Sequence, residues 1–140
     1  MDLLIFHLGN VNWVAVLVAL LPSFVIGSVW YAPPVFGTYW MKASDLKQKD
    51  LEQANFLQSL AITTVMNFVM VTGLAVLMSA LVFDTVLQGM VLGALVSLAF
   101  ATTSRGVHTA FEYRPFGLVL LNGAHDVLFL ATAGAILGAL

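Results

Sequence analysis

The chain has 140 residues, of which 61% are hydrophobic and only 9% charged, and its mean hydropathy is +0.99. That composition excludes a soluble globular domain and leaves an integral membrane protein, with room at this length for a handful of spans and no separate soluble domain. The net charge of -2 offers nothing to nucleic acid, and the absence of cysteine excludes disulfides, thiolate nucleophiles and thiolate-bound metals.

The opening MDLLIFHLGN carries an acid, no basic residue and no small-x-small cleavage site after it. These features argue against a removable signal peptide, so the first apolar run is expected to stay. That run is read as a span over 11–31, with Pro22 near its middle depriving the carbonyl of Val18 of its helical donor. Next comes WYAPPVFGTYW, Trp30 to Trp40. Pro33 and Pro34 lack amide donors and stop the helix, and Gly37 permits a turn that most residues resist. Trp30, Tyr31, Phe36 and Trp40 then predict a folded aromatic cuff at the membrane interface, weighted toward surface anchoring over ligand binding. In SDLKQKDLEQAN, Ser44 or Asp45 is the expected N-cap of a short solvated helix that feeds the second span.

The remaining spans are read over 56–81, 86–104 and 117–140, each close to the ~20 residues a helix needs to cross ~30 Å of hydrocarbon. The prediction is an all-α bundle of four transmembrane helices in a single domain over 1–140, with residues 32–55 as its long loop. Lys42, Lys47 and Lys49 follow the first span, and Arg105 and Arg114 flank the link between the last two, whereas the N-terminus, the 82–85 turn and the C-terminus have no basic residue. The basic loops place that end in the cytoplasm and both termini on the other side, in the cell membrane.

Small residues predict how the last two spans meet. Gly89-x-x-x-Gly93, continued by Ser97 and Ala101, and Gly134-x-x-x-Gly138 let helix backbones approach closely in lipid. Pairing Gly89 with Gly138 and Gly93 with Gly134 sets Arg105 level with Asn122, about one turn or ~6 Å from Asp126. A stripe of fours drifts ~40° per step around a 3.6-residue helix, so glycines and charges need not face the same neighbour. A charge in hydrocarbon is costly unless paired, which makes NGAHDVLFLA, residues 122–131, the focus of any functional reading. Asn67, Arg105, Asn122, His125 and Asp126 form the candidate intramembrane node, favoured as helix-to-helix bonding over proton or ion handling.

Chemistry beyond that is poorly supported. His7, His108 and His125 include no pair at the i, i+4 spacing that sets two metal ligands on one helix face. Phosphate loops, nucleophile elbows and dinucleotide fingerprints are lacking, and Glu112 with Arg114 reads as a solvated turn. No catalytic residue, metal or cofactor is therefore expected, and an enzyme is the least favoured class.

The pattern W-Y-x-P-x-x-F-G-x-x-W, held by Trp30, Tyr31, Pro33, Phe36, Gly37 and Trp40, resembles the signature of the small membrane protein family known as domain of unknown function 1761. FEYRP at Phe111 to Pro115, and Asn122 followed by GAILG at Gly134 to Gly138, extend the resemblance over nearly the whole chain. It departs at His125-Asp126, where the family pattern has an aromatic residue and then His. The resemblance implies a four-helix membrane fold and supplies no activity and no catalytic residues. Two functions are in contention: a structural or accessory component packing with itself or with a larger membrane complex, and a small oligomeric transporter or channel-like protein using Asp126.

Overall fold

The computed structural model describes residues 4–140; Met1 to Leu3, on which part of the expectation of an uncleaved start rests, lie outside the described residues. A 3-10 helix, Leu4–Asn10, leads into α1 (Trp13–Trp30). A π turn, Pro33–Gly37, opens α2 (Thr38–Ala43), and α3 (Gln48–Gln53) precedes α4 (Phe56–Leu81). The third long helix comprises α5 (Val86–Val96), a π stretch at Ser97–Thr102 and α6 (Thr103–Phe111), and α7 (Gly117–Ala139) ends the fold. Four of these helices, Trp13–Trp30, Phe56–Leu81, Val86–Phe111 and Gly117–Ala139, are long and apolar enough to cross a bilayer. The third runs seven residues past the expected end at 104, because Arg105 and His108 sit in a continuing helix and do not begin a loop.

Side-chain caps explain the helix starts. The Asn12 carboxamide accepts from the amide of Ala15 at 3.1 Å, Asn55 does the same for Gln58 at 3.0 Å, and Thr85 with Gln88 forms a capping box on α5. The cap of α3 is Lys47 and not Ser44 or Asp45: Asp50 accepts the Lys47 amide at 2.8 Å, while Asp45 takes a left-handed φ of 56° after α2. Helices α4 and α6 likewise end through left-handed residues, Val82 and Tyr113, which let the amides of Phe83 and Arg114 turn back onto Met78 and Thr109.

α7 is the centre of the bundle. The most apolar stretch of α7 is 39% buried, against 11% for α4, which presents most of its surface outward. Phe129 and Ala133 of α7 pack with Val16 and Ala19 of α1 and Val71 and Leu74 of α4, all at most 2% exposed. α1 runs through Pro22 without a break, and the Val18 and Pro22 region lines an apolar groove facing Leu128 and Thr132.

The glycine stripes do bring α5 and α7 into backbone contact, one turn away from the expected pairing. Gly89 abuts Gly134, Gly93 abuts the carbonyl of Leu130, and Gly138 abuts the carbonyl of Thr85. Sliding two four-residue repeats by one turn still sets small residues against backbone, so the spacing alone does not select the register. Gly37 also differs in cause: its φ is -59°, and what requires glycine is space, since a Cβ there would collide with the backbone of Tyr31 and Ala32.

Candidate functional site

The π stretch decides which face of the third helix meets α7. Three four-residue steps from Gly93 to Arg105 would carry an unbroken α-helix ~120° around its axis. One extra residue accommodated in a π turn returns ~100° of that drift. The side facing α7 accordingly reads Gly89, Gly93, Ser97, then a five-residue step to Thr102, which packs on Gly123, and Gly106, which packs on Val119. Arg105 stays on the α7 side as a result.

With Gly106 opposite Val119, Arg105 starts level with residue 120, six residues or ~9 Å along the axis from Asp126. Side chains lean toward the N-terminus of their own helix, and α6 and α7 are antiparallel, so the two lean toward each other. Arg105 Nη2 donates to Asp126 Oδ2 at 2.7 Å. The other carboxylate oxygen, Oδ1, lies 3.0 Å from His125 Nδ1. An ionised carboxylate only accepts, so this bond requires the proton on Nδ1 and leaves Nε2 as the second face of the ring. Asp126 and His125 side chains are 13% and 14% exposed, and that of Arg105 is 43% exposed.

The aromatic loop closes over this pair. Tyr31 O–H donates to Asn122 Oδ1 at 2.8 Å, and the rings of Tyr31 and Trp30 lie 5.2 and 6.2 Å from that of His125. Phe36 packs on Trp30 and Trp40 on Tyr31, with Pro33 starting the turn that returns them, and the Tyr39 hydroxyl lies against Gly117 at the start of α7. The loop expected as a surface anchor thus also holds an intramembrane histidine. His125 Nε2 is buried, points toward Gly27 and has no hydrogen-bond partner among the described residues, and the same holds for the buried Trp30 Nε1.

Of the candidate node, Arg105, Asn122, His125 and Asp126 are brought together with Tyr31. Asn67 is not among them: it is half-buried on α4 and makes no hydrogen bond to this cluster. His108 lies farther down α6 and lines a polar crevice of about 540 Å³ that opens at the basic end of the bundle and reaches Arg105 and Asn122. Two buried hydroxyls at the π stretch, Ser97 and Thr102, lack partners among the described residues. Ser97 stood in the small-residue stripe, but neither residue was expected to mark a break in the helix. Tyr31 was read only as an interfacial aromatic, and nothing in one sequence pairs it with a residue 91 positions away. Among the described residues, no three His, Asp or Glu side chains converge as a metal site.

Chemically, the cluster is a clasp. One carboxylate with both oxygens engaged joins α6 to α7, while His125 and Asn122 tie the end of α1 and its aromatic loop to the same stretch of α7. Such a pair satisfies two charges that would be costly in hydrocarbon.

No curated protein and no solved structure matches the chain in comparison. A family described as "protein of unknown function (DUF1761)" has a sequence model that matches residues 14–138, which takes in all four long helices, the aromatic loop and the Arg105–Asp126 clasp. The chain belongs to the DUF1761 family, and its four-helix membrane fold is the fold that membership led one to expect.

Proposed function

We propose that this chain is a non-catalytic structural or accessory protein of the cell membrane that packs with itself or with a larger membrane complex. The observation that supports this most is the engagement of both Asp126 oxygens, one by Arg105 and one by His125, which makes the intramembrane charges a fastening between helices. The glycine pairs are used inside the chain, so the surface offered to a neighbour is elsewhere. α4 supplies one: it is the least buried of the long helices and carries Thr63 and Asn67 outside the clasp. Polar side chains on lipid-exposed helices commonly bond across to a second helix. Extraction in mild detergent followed by mass measurement should give a defined multiple of 15.0 kDa or a stoichiometric complex. A lone 15.0 kDa species at all protein concentrations, with nothing bound, overturns the proposal.

The proposed orientation has the basic loops in the cytoplasm. A cysteine replacing Ser44 should be shielded from an impermeant thiol reagent in intact cells, while one replacing the exposed Asp84, in the turn between α4 and α5, should react. Reversed labelling refutes it.

A second reading, a small oligomeric transporter or channel-like protein, draws on the crevice, because that opening reaches Arg105 and Asn122. Against it, the path beyond the clasp is occupied by the close contact of α5 and α7.

A further inference from the structure

The crevice at the basic end is lined by groups that the clasp leaves partly unused. Arg105 gives one nitrogen to Asp126, yet its side chain stays 43% exposed at the crevice wall. Arg114 reaches in from the α6–α7 link: its Nη1 donates to the Ser44 carbonyl, its Nε lies 3.7 Å from Glu112, and it remains 41% exposed. His108 follows Arg105 by one turn on α6, and Ser104 and Thr109 add hydroxyls on the same wall.

We propose that this crevice binds a phosphate group, presented either on a lipid headgroup or as a free phosphate ion. A guanidinium carries five donors in a fixed fork, so each arginine keeps donors free after its protein bonds are made. Both guanidiniums are already held, Arg105 by Asp126 and Arg114 by Ser44, and a ligand therefore meets donors whose ordering it need not supply. Among the described residues the one carboxylate on the wall is Glu112, which is 60% exposed and only loosely engaged with Arg114; this disfavours a cation and leaves the arginine available. Several oxygens spread tetrahedrally around one phosphorus can take two arginine forks and a hydroxyl at once, which a planar carboxylate cannot. The crevice also opens at the end of the helices where Trp30, Tyr39 and Trp40 lie, the depth at which lipid phosphates sit.

The test uses the full chain in phosphate-free detergent and follows its thermal melting with four additions: inorganic phosphate, phosphatidic acid, diacylglycerol with the same acyl chains, and sodium chloride at matched ionic strength. Phosphatidic acid, inorganic phosphate or both should raise the melting temperature, and diacylglycerol and chloride should not. A response to phosphatidic acid alone identifies a lipid source, and a response to inorganic phosphate identifies a soluble one. Arg114→Gln and His108→Gln leave the clasp untouched and should each weaken the response about tenfold, the scale of one lost charge-assisted bond. Arg114→Lys should fall in between and guards against a folding defect in Arg114→Gln. Equal stabilisation by phosphatidic acid and diacylglycerol, a response unchanged in both Gln variants, or no response to either phosphate probe overturns the proposal.

Discussion

Gly93→Leu and Gly134→Leu should each collapse the stability of the detergent-solubilised bundle, while leucine at Val91 or Gly73 leaves its melting temperature unchanged. All four positions lie in apolar membrane helices, so hydrophobicity does not separate them. Space does. A Cβ on Gly93 meets the backbone carbonyl of Leu130, and one on Gly134 meets that of Gly89, whereas one on Gly73 meets nothing within 4 Å and Val91 is 56% exposed. Backbone cannot rotate out of the way as a side chain can, so the two helices must separate along the length of their contact. Overpacking a tight site costs ~1–3 kcal/mol even where side chains give way, so ~3 kcal/mol or more is expected here. Exclusion of water does not compensate, because helices in lipid associate through van der Waals packing and interhelical hydrogen bonds, and the clasp holds α7 only at its other end. Even alanine at Gly93 or Gly134 should be felt, and alanine at Gly73 should not. If all of these variants melt alike, the α5–α7 contact is not what holds the bundle.

What was legible in the sequence depended on how local its cause is. The four long helices follow from composition over ~20 residues, which no packing detail can override in a membrane. Close approach of α5 and α7 was legible because only glycine-type spacing permits it. Its register was not, because a repeat of four pairs as well after sliding one turn; the contact of Gly138 with the Thr85 carbonyl settles it in the folded chain. The π stretch at Ser97–Thr102 left no mark that a periodicity of 3.6 could reveal, yet it keeps Arg105 turned toward α7. Asp126 stood out as a charge in an apolar run, and Arg105 as a residue within reach of it. The hold of Trp30 and Tyr31 on His125 depends on the ends of α1 and α7 meeting in space, which no local pattern encodes. Asn67 sits near the middle of an apolar run, which suggested a place in the cluster, but it belongs to α4, whose packing is peripheral, and a mid-span position alone was not enough to place it there.

Breaking the Arg105–Asp126 pair from its two sides should give unequal losses. Arg105→Ala leaves a carboxylate that is 13% exposed with His125 as its remaining partner, a buried charge whose cationic partner is gone. The expected cost is about 3 kcal/mol, at the low end for a broken buried pair because the arginine side is open to the crevice. Asp126→Asn is milder, at ~1–2 kcal/mol, since an arginine already 43% exposed can swing its guanidinium into the open crevice. Asp126→Asn combined with Arg105→Gln removes both charges and leaves two amides able to bond to each other, so the double variant should be more stable than the sum of its two single losses by ~1–3 kcal/mol. Strict additivity would mean that the contact contributes nothing and that each residue acts alone. The same variant separates the two functional readings. If the pair is a fastening, Asp126→Asn lowers the melting temperature and leaves no pH-dependent ion flux to lose in proteoliposomes. A measurable flux in the wild type that disappears in a normally folded Asp126→Asn protein would make the carboxylate a carrier and the transporter the correct reading.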